Sequence, residues 1–289
     1  MALRIQWDRK PLIARVLGNS KIFKTHFGFT LAEVLITLGI IGVVAAMTMP
    51  VLIANIQEKT LLSQLSVAYK LIDEATVKMI NENGDTFKDL GQTPEERFRE
   101  YMRLLPQYIR VIKKCENGKA AGKCNAPTFY NYSASTGKIE PNNYNTTNNK
   151  ETFVLKNGMS IIFTNIPTNE TYAHCELNKN FTYNDNFSGY RSGSGTYGWA
   201  CGSFYIDING KKGPNTIAKD VFLFYVAANG IIPAGSSGEG VGVQKFESAC
   251  GKNGVNTDTK MCTAWALYNN NMDYFKCNGL SWDGKHSCK

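Results

Sequence analysis

From Phe29 to Ile53 the chain runs 25 residues with Glu33 as the only charged side chain. A helix rises about 1.5 Å per residue, and a hydrocarbon core of about 30 Å needs about 20 apolar residues to cross it. The run is long enough to span with some tilt. Its lone carboxylate is the anomaly. An ionisable group inside a spanning segment costs about 2.5–3.5 kcal/mol at the centre, less near an end, and marks function by default. The plainer alternative is an anchor whose acid merely reaches the interface. Ahead of the run, Arg4, Arg9, Lys10, Arg15, Lys21 and Lys24 stand against Asp8, a net charge of +5. Such a basic flank holds the N-terminus in the cytoplasm and sends the remainder outward.

The junction reads Gly28-Phe29-Thr30-Leu31-Ala32-Glu33-Val34-Leu35-Ile36. This stretch resembles the processing motif of type IV pilins and type II secretion pseudopilins. The resemblance is specific through about Leu71 and extends to Gly42 and Pro50. It implies that a prepilin peptidase cuts between Gly28 and Phe29 and methylates the new Phe29 amine. It also implies that Glu33 acts in assembly with other subunits and with inner-membrane assembly machinery. An ordinary secretory signal is cut after its apolar region. Here the implied cut precedes it, so the apolar helix stays in the product. Met1–Gly28 is longer than the family's usual leader, which places the expected start of translation nearer Lys21.

The formal charge of +8 falls to +3 once residues 1–28 are set aside, with 26 basic and 23 acidic residues remaining. A dedicated nucleic-acid binder shows a marked basic footprint, so nucleic acid is not an expected partner. The eight cysteines, Cys115, Cys124, Cys175, Cys201, Cys250, Cys262, Cys277 and Cys288, all follow the apolar run. The topology puts them outside the cytoplasm, where disulfides persist. Pairing of sequence neighbours is the simplest of about a hundred connectivities: Cys115–Cys124, Cys175–Cys201, Cys250–Cys262 and Cys277–Cys288. No C-x-x-C occurs, which disfavours a zinc knuckle or a thioredoxin-type site.

Past Ile53, Leu62, Leu65, Tyr69, Ile72, Thr76 and Met79 recur at three- and four-residue steps, the period of an amphipathic helix. Gly84 is the expected stop. One helix of about 50 residues results, with Pro50 expected to kink or loosen it near the membrane edge. Thr93-Pro94-Glu95-Glu96 reads as the capped start of a helix of about 12 residues ending near Pro106. Asn125–Lys150 reads as an exposed polar loop. Phe153–Phe163 reads as a hairpin turning at Asn157-Gly158, Phe204–Ile208 as a third strand, and Val221–Val226 with Asn229–Ile232 as a fourth strand with a further hairpin. Gly189–Gly202 is a loop candidate, and the tail after Gly238 a bridged, loop-rich cap. Helices first and strands later predict an α+β fold, the pilin-like arrangement of a long helix on an antiparallel sheet that the resemblance also implies. The expected division is a leader over 1–28, a filament-core helix over 29–54, its amphipathic half over 55–84, and an extracytoplasmic head over 85–289.

Three site readings follow. Cleavage would create a positive amine on Phe29. In a low-dielectric filament core Glu33 of one subunit and the Phe29 amine of the next would neutralise each other. Asp207-Ile208-Asn209-Gly210, with Asp220 beyond, offers alternating oxygen ligands and a glycine for a sharp turn. Calcium at Asp207, Asn209 and Asp220 and a purely structural Asx-turn are both open readings. The resemblance adds that some secretion pseudopilins bind calcium, whereas Lys211 and Lys212 stand where more acids would help. Tyr130, Tyr132, Tyr144, Tyr190 and Tyr197 are candidate stacking residues, and Asn131, Asn145, Asn169, Asn180 and Asn186 match the N-x-S/T pattern. His174 beside Cys175 reads as a loop histidine. The expected product is therefore no enzyme. It is a filament subunit of the inner membrane and then the periplasm or cell surface. The rival readings are a surface adhesin or DNA-uptake minor pilin, and an anchored envelope enzyme, for which no catalytic set is present.

Overall fold

The computed structural model describes residues 28–116, 123–124, 126, 128–133, 136–142, 151–165, 175, 200–213, 215–236, 246–253 and 259–288. The chain divides into two compact units, Met1–Leu52 and Ile53–Lys289. Helix α1 runs unbroken over Leu31–Asn83 and passes through Pro50.

In the first unit the helix exposes its apolar side chains on every face, among them Leu35, Ile36, Leu38, Ile40, Ile41, Val44 and Met47. This segment is long and apolar enough to cross a membrane by length and composition. Its hydroxyls are consumed internally. Thr37 donates to the carbonyls of Glu33 and Val34, and Thr48 to that of Val44. Lipid would therefore meet few unsatisfied polar groups.

In the second unit one stripe of α1 is buried: Leu62, Leu65, Ala68, Ile72, Ala75, Thr76, Met79 and Ile80. Tyr69 sits at its margin and stacks on Phe224 at 5.9 Å. The helix stops before Gly84, whose φ of +139° no side-chain-bearing residue adopts easily. Helix α2, Pro94–Leu104, opens on a reciprocal capping box. Thr93 Oγ1 accepts from the Glu96 amide at 3.2 Å, and Glu96 accepts from the Thr93 amide at 3.1 Å.

Six strands form one antiparallel sheet: β1 (Val111–Cys115), β4 (Thr152–Leu155), β5 (Ser160–Asn165), β6 (Gly202–Asp207), β8 (Val221–Ala227) and β9 (Gly230–Pro233), paired in that order. The expected hairpins are present, β4–β5 through Asn157-Gly158 and β8–β9 through Ala228-Asn229. The reading of Asn125–Lys150 as a loop is corrected. Strands β2 (Phe129–Ser133) and β3 (Lys138–Asn142) pair antiparallel there, and β7 (Asn215–Thr216) joins β2 in parallel. The polar composition hid two buried aromatics, Phe129 and Tyr132, the latter edge-on to Phe275 at 5.6 Å. Strand β1 was also unexpected, because Lys113 and Lys114 lie on an exposed sheet edge.

The core is aromatic. Phe163 meets Phe153 at 5.0 Å, Phe98 and Phe204 at 6.0 Å each, and Tyr101 at 6.2 Å; Phe204 stacks on Phe224 at 5.9 Å. The cluster runs from α2 across the sheet to α1. Each such pair adds about 0.5–1.5 kcal/mol beyond its burial. Thr76 and Tyr101 share a buried hydrogen bond of 3.0 Å that ties α1 to α2.

Beyond β9 the described tail carries short helical pieces between its disulfide-braced loops. It contains α3 (Phe246–Ala249), α4 (Thr263–Tyr268) and short 3-10 turns. Disulfides join Cys115–Cys124, Cys175–Cys201, Cys250–Cys262 and Cys277–Cys288. Phe246 stacks on Trp265 at 4.1 Å. Glu58 of α1 clamps this cap, accepting from the Met272 amide at 3.0 Å and from Lys276 Nζ at 2.9 Å.

Phe163→Ala opens a cavity where four aromatic rings converge. It is expected to cost about 3–5 kcal/mol, read as a lower denaturant midpoint. A loss under 1 kcal/mol would show that the cluster collapses without penalty.

Candidate functional site

At the start of α1 the structure assigns Glu33 a local partner. Its Oε2 accepts from the Thr30 amide and from Thr30 Oγ1, both at 2.8 Å, and the Glu33 amide donates to Thr30 Oγ1 at 3.2 Å. This is a capping box, in which an N-cap threonine and a glutamate three residues on satisfy each other's orphan donors. Thr30-x-x-Glu33 ahead of an apolar run carries that signature openly, so Thr30 was a findable site residue. Phe29 is 87% exposed, and no described atom lies within 4 Å of the place a Gly28 side chain would occupy. The peptide bond between them is sterically accessible in the described chain. The carboxylate therefore caps its own helix.

The second candidate is a buried acidic turn. Asp207 ends β6, Ile208–Gly213 turn, β7 carries Asn215 and Thr216, and Asp220 precedes β8. Gly210, at φ +64°, lies against the Gly158 carbonyl of the β4–β5 hairpin, where a side chain would collide. Asp207 and Asn215 are fully buried, and Asp220 nearly so. Asn215 Nδ2 donates to Asp207 Oδ2 and, at 2.8 Å, to the Gly210 carbonyl. Asn209 Nδ2 donates to Asp220 Oδ2 at 3.1 Å, and the Thr216 amide to Asp220 Oδ1 at 2.5 Å. Both amide side chains thus spend their nitrogens on the carboxylates.

What remains is a set of orphan oxygens. Six buried side-chain polar atoms lack a partner among the described residues, and four belong to this turn: Asp207 Oδ1, Asn209 Oδ1, Asn215 Oδ1 and Thr216 Oγ1. A buried polar atom left unpaired costs about 1–3 kcal/mol, and such concentration demands an explanation. The four orphan atoms are all oxygens, whereas both Asp220 carboxylate oxygens already accept hydrogen bonds. Lys211 and Lys212 are exposed.

Burial, reinforced by the Asp220 carboxylate, pushes the Asp207 acid up to about 8, and burial pushes Asp220 up to about 6. Both folded values lie above the unfolded value, so this contribution to stability is complete below about pH 4 and is lost as pH rises through about 6 and then 8. In chelator, the melting temperature is expected to fall between about pH 5 and pH 8, and Asp207→Asn to flatten that fall. A level profile for the unaltered protein would contradict the assignment.

The other candidates fare differently. Tyr132 is buried and Tyr130 half-buried within β2, so neither is a loose stacking residue. Asn131 also lies in β2. Tyr144, Tyr190, Tyr197, His26, His174, Asn145, Asn169, Asn180 and Asn186 fall outside the described residues. Among the described residues no three His, Cys, Asp or Glu side chains form a metal-holding group.

Residues 24–49 match the family model described as the prokaryotic N-terminal methylation motif, the signature of type IV pilins and pseudopilins. No curated protein and no solved structure matches the chain. The motif points to a structural subunit rather than an enzyme.

Proposed function

We propose that this bearer of the type IV pilin signature is a subunit of a pilus-like filament, a pseudopilin of type II secretion or a minor pilin. The observation that carries the reading is an N-terminal helix exposing apolar side chains all round, with one carboxylate in its first turn. Such a surface needs lipid or sister helices to cover it. A prepilin peptidase would cut between Gly28 and Phe29 and methylate Phe29, leaving the chain anchored in the inner membrane with its head outside. The new amine then supplies the positive charge that the segment otherwise lacks.

In this reading Glu33 leaves Thr30 when subunits associate and pairs with the Phe29 amine of a neighbour. A hydrogen-bonded charge pair out of water outweighs a neutral cap, because one unpaired charge left there costs several kcal/mol. The capping box serves the monomer, holding the carboxylate near the helix end until an amine arrives.

Glu33→Ala is the direct test. The variant is expected to insert and be cleaved at close to the normal rate, and to enter sheared filaments at least about tenfold less, the equivalent of about 1.4 kcal/mol. Equal incorporation would remove the pairing role. Thr30→Val deletes the hydroxyl of the capping box. It is expected to weaken the start of the helix by about 1 kcal/mol in micelles, read as faster amide exchange over residues 31–34, while still permitting assembly.

A further inference from the structure

The cysteines do not share one environment. Cys115, Cys124, Cys175, Cys201, Cys250 and Cys262 are each no more than 7% exposed. Cys277 and Cys288 are only half-buried, and Cys277 packs at the margin of the core rather than inside it. A thiolate must reach a sulfur before it can exchange with it, so access separates bridges that hold a fold from bridges that can be opened.

Asp273 ties the accessible bridge to α1. Its carboxylate accepts from the Cys288 amide at 2.8 Å through Oδ2 and from Lys276 Nζ at 3.0 Å through Oδ1. Its carbonyl accepts from the Lys276 amide at 2.8 Å and the Cys277 amide at 3.1 Å, and Cys288 Sγ lies 3.3 Å from the same oxygen. This turn carries both donors that hold Glu58 of α1, the Met272 amide and Lys276 Nζ. The residues between the two cysteines have anchors of their own. Leu280 is buried. The Trp282 amide donates to Glu247 at 3.1 Å, and Trp282 Nε1 donates to the Gly235 carbonyl at 3.2 Å.

We propose that Cys277–Cys288 is a site of thiol–disulfide exchange, opened by a dithiol reductant while the other three bridges stay closed, and that opening it loosens the hold of Glu58 on the C-terminal cap. A thiolate of the reductant attacks one bridge sulfur. A mixed disulfide forms, the Sγ–Sγ bond breaks, and the other cysteine leaves as a thiolate. The reductant's second thiolate then attacks the reductant sulfur of the mixed disulfide and frees the first cysteine. Two electrons pass to the bridge, the two protons given up by the reductant end on the cysteines, and the reductant closes into its own disulfide. The open form keeps a partner. A bridged sulfur has no hydrogen to give, whereas a Cys288 thiol in the same place can donate weakly to the Asp273 carbonyl. Opening stays local, because Leu280 and Trp282 keep the middle of the loop docked. It still reaches α1. A bridge restricts the chain that it closes; without it Asp273 holds Cys288 by hydrogen bonds alone, and the Met272 and Lys276 donors lose a fixed support.

The test treats the whole chain in detergent micelles with rising dithiothreitol, traps free thiols with iodoacetamide and maps the labelled peptides. Cys277 and Cys288 are expected to be labelled together, at least about tenfold faster than any other pair. Earlier labelling of another pair, or simultaneous opening of all pairs, would overturn the site. In protein reduced at this bridge alone, amide hydrogen exchange is expected to quicken over 272–277 and 283–288 and to stay unchanged over 204–207 and 221–227. An unchanged rate at Met272 would overturn the link to Glu58. The double variant Cys277→Ser, Cys288→Ser removes the bridge without reductant. It is expected to fold and to show the same faster exchange at Met272. Failure of that variant to fold would overturn local opening, since the bridge would then be holding the cap together. None of these readouts requires filament formation, so the exchange site and the filament reading can fail separately.

Discussion

An apolar helical segment with no packing partner among the described residues governs the rest of this molecule. Residues 31–52 cover about 33 Å at the usual helical rise, enough for a hydrocarbon core. The same residues turn apolar side chains outward on every face. Water penalises such a surface at about 25 cal/mol per Å². Only two environments remove that penalty, a bilayer and a sheath of similar helices. Moving from one to the other gains little from burial alone, because lipid tails are as apolar as leucine. Near the helix start, Thr30 and Glu33 satisfy each other's polar groups.

The second unit solves a different problem with the same helix. From Leu62 onward the apolar residues retreat to one stripe, and the stripe is covered by α2 and the six-stranded sheet. Specific polar contacts then fix what hydrophobic packing leaves loose. Asp73 accepts the Ile231 amide at 3.1 Å and so covers part of the β9 edge, a use of a carboxylate that blunts an exposed strand. Glu58 does the same for the C-terminal cap. Four disulfides close the loops, each removing about 2–4 kcal/mol of unfolded-state freedom in the chain-entropy account. Such bridges persist in oxidising surroundings.

The legible parts of the fold were those with local signals. The α1 stripe, the Gly84 stop, the Thr93 cap and the Asn157-Gly158 hairpin each announce themselves within a few residues. Strands β2 and β3 did not, because Asn131, Ser133 and Lys138 give no clean alternation and their stability comes from Phe275 and β7, both far along the chain. Strand β1 was masked by lysines that an edge strand tolerates and a central strand would not. Asp207, Asn209 and Asp220 stood out by spacing. Asn215 did not, since its importance lies in a nitrogen already spent and an oxygen left over, which only the folded turn displays. Thr30 was visible as half of a capping box but was overshadowed by the charge at Glu33.

The central claim is that the apolar helix becomes the free N-terminal end of the working protein. Intact-mass spectrometry of the protein extracted from membranes or filaments tests this most directly. The account predicts a chain beginning at Phe29, with one added methyl group and the eight-hydrogen deficit of four disulfides. A mature chain that still carries residues ahead of Phe29, or one recovered free of membrane and filament alike, would contradict it.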